Sequence, residues 1–519
     1  MSAAGIGCAD AADAALTADI RATLMPGFEG FTAPAWLLGL LGDGLLSACV
    51  YGTNIRDRAQ LEALGRQLRD AAPQSLLAID EEGGEVTRLD YLEGSRYPGA
   101  AVLGRIDDLD YTAEIGRRVG ADILAAGFNL ALAPDADVNS NPENPVIGTR
   151  SFAADAETAA RHTAAWIAGL QSTGAVACPK HFPGHGDTAQ DSHLALPVVD
   201  APIETLKARD LPPFRAAIGA GAQTIMTSHI LLPQLDPIAP ATLSRPILQG
   251  LLREQLGFTG VIVSDALDMA GASGEIGIPE AAVRALAAGC DLLCLGVGAT
   301  GESVAELEAH VASAVHDGRL DRARVHEAAE RVRALSRAVP SSAASINAAP
   351  SGLPSAAEIA RVAESFAGAG EARAWVASHP EAWVLRFDTD ANMAVGCAPW
   401  GPFAAAAAPL PGSEADVAAF ARRSQLIVDA ASAPIWPIDE LRRGGAIAIG
   451  RDLHRHEFAR ARIDELRELG VPVLCVETGW PDARSGYADL ASYGSTRLVG
   501  TALIELFETA ARADEGARS

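Results

Sequence analysis

Two short apolar runs, TIMTSH (residues 224–229) and VIVSD (residues 261–265), each end on a polar residue and are separated by a helical stretch. The same alternation recurs between residues 45 and 300, and it predicts repeated βα units around a parallel sheet. The other strand candidates are LLSACVY, SLLAID, LALAPD, AVACPKH and DLLCLG, which end at Tyr51, Asp80, Asp135, His181 and Gly296. In a parallel barrel the strand C-termini open on one face, so polar residues at those ends converge on a single cavity.

The chain is long enough for one large barrel and a smaller second domain, with 519 residues. The Pro/Ser/Ala-rich stretch that follows the last helical segment of the barrel predicts a linker at residues 341–358, after a domain at residues 1–340. Beyond it, buried-strand candidates alternate with helical segments and predict a small α/β sheet domain at residues 359–519. These strand candidates are WVLRF, SQLIVDA, GAIAIG and VPVLCVE.

Composition narrows the class of protein. Hydrophobic residues make up 49% of the chain, which supports a packed core, and the formal net charge of −25 argues against nucleic acid and anionic membrane surfaces as partners. Seven cysteines without a repeated spacing do not form a disulfide framework and predict reduced core thiols. The first twenty residues contain neither a basic n-region nor an apolar h-region, so we expect a cytoplasmic protein.

The densest polar cluster is KHFPGHGDTAQDSHLALP, which begins at Lys180 directly after a strand candidate. Its proline and glycines predict a loop at the mouth of the barrel. Asp191 and His193 are two residues apart, a spacing that lets the carboxylate reach the imidazole, fix its tautomer and raise its basicity. These residues are therefore candidates for an acid/base pair.

Two alternatives exist for this cluster. A single histidine in such a loop is more often a hydrogen-bonded structural residue than a catalytic one. A metal site could also be built from His181, His185, Asp187 and His193. The segment lacks the helical His pair of the zincins, so we predict no metal.

The stretch VIVSDALDM offers two carboxylates, Asp265 at the strand end and Asp268 three residues further on. A nucleophile that attacks an anomeric carbon must be rigidly aimed, and a strand end supplies that rigidity. We therefore predict Asp265 as nucleophile, with a helix N-cap as the structural alternative for Asp268.

A second set of polar residues follows the strand candidate that ends at Asp80. In IDEEGGEVTRL, Asp80 is predicted to bind sugar hydroxyls, and Glu81 and Glu82 are assigned ordinary ion pairing or exposure because consecutive side chains point apart. The segment PDADVNSNPENPVIGTRSF contains Asp137 and Arg150 and is also consistent with a long structured turn.

Together these segments resemble the family 3 glycoside hydrolases, in particular the β-N-acetylglucosaminidase branch to which the peptidoglycan-recycling enzymes belong. The resemblance spans residues 20–340 and rests on motifs in the following order: MPGFEG, GTNI, IDEEGG, DVNSNPENPVIGTRSF, KHFPGHGDTAQDSH, TIMTSHI, PATLS, VIVSDALDM and GRLDRARVHEAAERV. The most diagnostic piece is KHFPGHG followed by DSH, because in this branch a loop supplies a His as acid/base. The resemblance implies an α/β fold class, a (β/α)8 TIM-like barrel followed by a smaller αβα sandwich domain.

The resemblance also implies a role for each site residue. Asp265 would be the nucleophile and His193 the acid/base supported by Asp191, without a metal or organic cofactor. The sugar-binding residues would be Asp80, Arg88, Arg150, Lys180 and His181. One departure concerns the Gly-Gly pair, which is usually followed by Arg in the family and here by Glu85.

The activity implied is that of a retaining β-N-acetylhexosaminidase, which cleaves terminal β-linked N-acetylglucosamine from glycosides or cell-wall muropeptides through a covalent glycosyl-enzyme. The partner is then a small-molecule carbohydrate, and the C-terminal domain could mediate a homodimer. One alternative is a phosphorylase that uses phosphate as acceptor, because a His acid/base does not repel that anion as a carboxylate would. A β-glucosidase of the same family and a non-catalytic sugar-binding protein are the remaining alternatives.

Overall fold

The computed structural model describes residues 3–189, 196–274, 276–339, 351–389, 393–431, 434–482 and 484–518. The chain divides into two compact units. The first comprises Met1–Glu82, Leu109–Ile147 and Ala153–Ser351, and the second comprises Gly83–Asp108, Gly148–Phe152 and Gly352–Ser519. The sequence prediction placed residues 1–340 in one domain, whereas two segments inside that range group with the C-terminal part of the chain.

The strands of the first unit are short and buried. They are β1 (Leu24–Met25), β2 (Ser47–Val50), β3 (Leu76–Ile79), β4 (Leu130–Ala131), β5 (Val176–Ala177), β6 (Thr224–Met226), β7 (Val261–Val263) and β8 (Leu293–Cys294). Their side chains are buried on both faces of the sheets, which explains why the strands appear in the sequence as continuous apolar runs. The strand β1 was missed because only two of its residues pair, and an apolar run that short carries no recognisable period.

All strand pairs of the first unit are parallel. The sheets have the orders β1-β8, β2-β3-β4-β5 and β6-β7. Further backbone contacts link them: the Cys49 N–H donates to the Pro26 carbonyl, and isolated bridges join Phe182 to Thr227 and Val263 to Leu292. The first unit is therefore an α/β unit with parallel strands, as predicted.

Helices surround the strands of both units. They are α1 (Ala3–Ala22), α2 (Ala35–Gly42), α3 (Arg58–Ala71), α4 (Ala100–Ile106), α5 (Leu109–Ala125), α6 (Ala156–Gln171), α7 (Ile203–Arg209), α8 (Leu211–Gly219), α9 (Ala270–Ser273), α10 (Ile278–Ala288), α11 (Gly301–His316), α12 (Arg322–Ala338), α13 (Ala356–Glu364), α14 (Ala369–Ser378), α15 (Gly401–Ala407), α16 (Glu414–Arg422), α17 (Ile438–Gly444), α18 (Glu457–Glu468) and α19 (Arg497–Arg518). A π-helix spans Pro246–Gln255, and 3₁₀ helices span Gly52–Asn54, Gly148–Arg150 and Ala241–Leu243.

The helix α13 begins inside the predicted linker. Ser355 is its N-cap and forms a capping box with Glu358, so backbone N–H groups at the start of the helix have partners. Because this cap starts the helix, the described non-helical residues of the predicted linker end at Ser355, before Ala356.

The second unit contains a parallel sheet with the order β10-β9-β11-β12-β13. Its strands are β9 (Trp383–Phe387), β10 (Gln425–Val428), β11 (Ala446–Gly450), β12 (Val473–Glu477) and β13 (Leu490–Ala491). Alternate residues of β11 face different cores: Ile447 and Ile449 pack in one hydrophobic cluster, and Ala446 and Ala448 in another. Because side chains alternate along a strand, both faces of this sheet are covered.

Four cysteines that stand in apolar strand candidates, Cys178, Cys290, Cys294 and Cys475, are buried and form no disulfide, whereas Cys397 is exposed. None of the helices that the structure describes is sufficiently long and apolar to span a lipid bilayer.

A buried carboxylate holds the amino-terminal side of β7 and β8 together. Asp291, which is fully buried, accepts from the Arg324 guanidinium at 2.6 Å, from Arg331 at 3.2 Å and from the Ile262 backbone N–H at 2.9 Å, and it also pairs with Arg253. Removing one member of a buried ion network leaves the other charges without compensation.

We expect Asp291→Asn to lower the stability of the first unit by about 3 kcal/mol, because the arginines lose their buried counter-charge. The matched control is Glu327→Gln, since Glu327 pairs with Arg324 and Arg331 but its side chain is 51% exposed; this change should cost about 0.5 kcal/mol or less. Differential scanning calorimetry of both variants measures the difference. If both variants lost the same stability, burial of the Asp291 carboxylate would not be the reason for the contribution of this ion network.

Candidate active site

Lys180 lies between two carboxylates that follow β3. Its Nζ is 2.8 Å from Asp80 Oδ1 and 2.9 Å from Glu82 Oε1. The Lys180 and Glu82 side chains are 5% and 6% exposed, whereas that of Asp80 is 18% exposed. The ion pairing predicted for Glu82 is confirmed, and Glu81 is buried rather than exposed. A buried ammonium flanked by carboxylates gives both donors and acceptors, which suits the recognition of sugar hydroxyls.

His181 is oriented by Asp137, a residue whose role the sequence analysis did not identify. The two side chains are joined at 2.7 Å between Nδ1 and Oδ2, and the Asp137 Oδ1 accepts the His185 backbone N–H at 2.6 Å. One carboxylate thus holds the start of the histidine-rich loop at two points. Burial lowers the pKa of His185 to about 4, so its imidazole is neutral at pH 7 and is poorly suited to donate a proton.

The same loop is anchored further along by Arg209. Its Nη1 pairs with Asp187 Oδ2 at 2.8 Å, and its Nη2 pairs with Asp210 Oδ2 at 2.9 Å. Burial raises the pKa of Asp210 to about 6. Two glycines permit the close approach: a Cβ at Gly184, where φ is +137°, would lie 2.7 Å from Asp210 Cβ, and a Cβ at Gly186 would lie 1.7 Å from the Val138 carbonyl oxygen.

Asp265 follows the end of β7, as predicted. Its Oδ1 accepts the Ala266 backbone N–H at 2.8 Å, and its own backbone N–H donates to Thr227 Oγ1 at 3.2 Å. His229 supports the same segment, because its Nε2 is 2.9 Å from the Ala266 carbonyl oxygen. The backbone around the carboxylate is therefore fixed from both sides.

Asp268 is not a helix N-cap. The helix α9 begins at Ala270 with Met269 as its N-cap, and the exposed Asp268 carboxylate accepts the Val297 backbone N–H at 3.1 Å. The segment after β7 turns towards the end of β8 before the helix starts, so the partner comes from a distant part of the chain.

Asp80, Lys180 and Asp265 all act electrostatically on one buried thiol. Burial raises the pKa of Cys178, at the end of β5, to about 12; Lys180 lowers this pKa, and Asp80 and Asp265 raise it. Asp265 likewise acts on His185, together with Asp137 and His181. Backbone pairing joins the two sides: Phe182, the residue after His181, pairs with Thr227, whose hydroxyl accepts the Asp265 backbone N–H. We call the polar residues at the carboxyl ends of β3, β4, β5 and β7 the strand-end cluster.

Four further site residues were predicted from the sequence. Asp191 and His193 fall outside the described residues. Arg88 and Arg150 belong to the second unit; the Arg88 Nη2 donates to the Ala394 carbonyl at 2.8 Å, and Arg150 is the buried last residue of a 3₁₀ helix.

A group of possible metal ligands occurs within the strand-end cluster. One donor atom each from Asp135, Asp137 and His181 lies within 4.8 Å of the others among the described residues. Only His181 belongs to the metal alternative weighed from the sequence. Its Nδ1 makes the hydrogen bond to Asp137, so this contact orients the imidazole.

A carboxylate that follows one strand, together with an ammonium and an oriented imidazole that follow others, is typical of enzyme sites at the carboxyl ends of parallel strands. Residues 39–335 match the model of the glycosyl hydrolase family 3 N terminal domain. Because this match covers more than half of the chain, the protein belongs to glycoside hydrolase family 3.

Individual relatives agree with this membership. A β-hexosaminidase of Tolumonas auensis is 42% identical over 249 residues, which cover 47% of this chain and 73% of that protein. β-Hexosaminidase A of Pseudoalteromonas piscicida is 33% identical over 332 residues, 59% of this chain and 55% of that protein, so the chain spans about half of this relative. The structure of a family 3 β-N-acetylglucosaminidase from Paenibacillus sp. has a TM-score of 0.80 at 27% identity and covers 95% of this chain and 97% of that chain.

Proposed function

We propose that this glycoside hydrolase is a retaining β-N-acetylhexosaminidase that removes terminal β-linked N-acetylglucosamine from glycosides or cell-wall muropeptides. The observation that supports the proposal is the position of Asp265 after β7, where its backbone N–H donates to Thr227 and Thr227 pairs with Phe182, the residue after His181. The family relatives of this chain are named β-hexosaminidases. The motifs KHFPGHG and DSH support the N-acetylglucosaminidase branch.

The proposed reaction proceeds in two steps. An Asp265 carboxylate oxygen attacks the anomeric carbon and forms an ester, while the bond to the leaving oxygen breaks and His193 donates a proton to that oxygen. Water then attacks the same carbon, His193 takes its proton, and the Asp265 carboxylate is released. Two inversions at one carbon give net retention of configuration.

The surrounding residues have supporting roles in this proposal. Asp191 orients His193 and favours its charged form. Asp80, Lys180 and His181 bind sugar hydroxyls, supported by the charge and burial of the Lys180 pair with Asp80 and by the Asp137 contact that orients His181. Arg88 and Arg150 complete the sugar-binding set.

The finer description of the fold is also a proposal. Parallel pairings and backbone contacts from β8 through β1 to β7 support a (β/α)8 TIM-like barrel, and the two covered faces of the second sheet support an αβα sandwich. The domain boundaries at residues 340 and 359, a cytoplasmic location and a homodimer likewise stay predictions from the sequence.

The proposed activity predicts a preference between two chromogenic substrates. We expect nitrophenyl β-N-acetylglucosaminide to be cleaved at least about 100-fold more efficiently, in kcat/KM, than nitrophenyl β-glucoside, because recognition of the acetamido group is lost with the second substrate. Equal rates, or a preference for the glucoside, would contradict the proposal.

The same assay, run with and without inorganic phosphate, distinguishes the acceptor. Free N-acetylglucosamine as the product under both conditions supports hydrolysis. Formation of N-acetylglucosamine 1-phosphate would instead assign the protein as a phosphorylase.

A further inference from the structure

The loop after β3 that carries Arg88 belongs to the second unit. Within that unit, Arg96 pairs with Asp90 at 2.6 Å, and Arg497, at the start of α19, pairs with Glu93 at 2.8 Å. The Arg88 Nη2 donates to the Ala394 carbonyl. One pair inside the loop and partners from two places in the C-terminal sequence therefore hold this loop.

Glu85, in the same loop, binds residues from three other segments of the second unit. Its Oε2 is 2.7 Å from Arg451 Nη2, and its Oε1 accepts the Ser495 backbone N–H at 2.9 Å. The same Oε1 accepts from the Thr149 hydroxyl at 3.3 Å. The Glu85 side chain is 6% exposed and that of Arg451 is 13% exposed, so the pair is largely removed from solvent.

The three partners of Glu85 come from separate segments of the chain. Thr149 is the immediate neighbour of Arg150, and Glu85 itself is three residues before Arg88. Arg451 directly follows β11, at the carboxyl end of the sheet of the second unit. The Thr389 hydroxyl donates to the Arg451 carbonyl at 3.1 Å. One buried carboxylate thus connects both segments that carry a proposed sugar-binding arginine to the sheet of the second unit.

We infer that Glu85 and Arg451 are positioning residues for Arg88 and Arg150. This inference rests on the proposed function, because it assumes that Arg88 and Arg150 bind the substrate. It also accounts for the acidic residue after the Gly-Gly pair: an Arg at position 85 would face Arg451 as a like charge, whereas Glu85 forms an ion pair with it.

The test separates substrate binding from turnover. We expect Glu85→Gln and Arg451→Met each to raise KM for nitrophenyl β-N-acetylglucosaminide about tenfold and to change kcat less than about threefold, because the arginines are displaced while the strand-end cluster is untouched. The double variant should be no worse than either single variant, since the two changes remove one interaction. Arg451→Lys keeps the charge and should restore most of the loss in KM.

The chain offers a matched control for general damage to the second unit. Arg423 and Glu508 form another buried ion pair there, at 2.6 Å with side chains 6% and 8% exposed, and Arg423 also donates to the Pro380 carbonyl. Glu508→Gln should lower the thermal midpoint as much as Glu85→Gln does and leave KM unchanged. A KM that rises equally in both variants would overturn the positioning role.

Arg88→Ala, measured in parallel, separates failure of the inference from failure of the proposed function. If Arg88→Ala raises KM and Glu85→Gln and Arg451→Met do not, the inference is wrong and sugar binding by Arg88 stands. If Arg88→Ala leaves KM unchanged, the sugar-binding assignment fails, and the positioning role fails with it.

Discussion

Asp265→Asn is expected to lower turnover by about four orders of magnitude or more, because an amide cannot replace the carboxylate that the proposal assigns to form the glycosyl-enzyme. The protein should remain folded, since the amide oxygen of Asn can still accept the Ala266 backbone N–H that Asp265 Oδ1 accepts now. The measurement is kcat on nitrophenyl β-N-acetylglucosaminide, with the thermal midpoint as the test of folding.

Asp268→Asn is the matched control, because the two residues lie on the same segment and the exposed Asp268 contacts the Val297 backbone N–H. Its kcat should stay within about threefold of the wild type. Labelling with a slow fluorosugar substrate, followed by mass spectrometry, identifies the nucleophile directly. A label on a peptide that lacks Asp265 would refute the assignment.

The second large effect concerns the acid/base. His193→Ala should slow substrates with poor leaving groups by about 100-fold to 10,000-fold, and nitrophenyl substrates far less in the first step, because a nitrophenolate departs without a proton. The defect should therefore follow the leaving-group pKa. With an activated substrate, a burst should precede slow turnover, since the second step lacks its base.

Azide provides a sharper test of the same residue, because it attacks without needing to lose a proton. Added azide should accelerate His193→Ala and yield a β-glycosyl azide through net retention. Asp191→Ala should show a weaker form of the same pattern, since the imidazole remains but loses its orienting partner. A uniform loss over all substrates without azide rescue would make His193 a binding residue.

The parallel α/β character of the chain was predictable because buried strands are continuous apolar runs, and the polar residue that ends each run marks the carboxyl edge of the sheet. Asp80, Lys180, His181 and Asp265 were found in this way, and the structure brings them into the strand-end cluster. Roles within the cluster stay predictions, as do those of Asp191 and His193, which lie outside the described residues.

What the sequence could not provide was the choice of partners between distant segments. Asp137 is separated by 44 residues from His181, and its neighbours in the sequence are typical of an ordinary turn. The contact of Asp268 with Val297 depends on the path of two loops, whereas the expected N-cap was a local pattern. A local sequence pattern identifies a residue that could take part in catalysis or binding, whereas tertiary packing determines which residue becomes its partner.

The grouping of residues 83–108 with the C-terminal unit has a consequence during protein synthesis. Ser495, whose backbone N–H binds Glu85, is 410 residues further along the chain. At about 5–20 residues per second, on the order of 20–80 s pass before the ribosome has made it. During that interval the loop with Arg88 has left the exit tunnel without its partners and is open to proteases and chaperones. We therefore expect conditions that slow translation of the second half to lower the yield of active enzyme, although they leave every residue of the strand-end cluster unchanged.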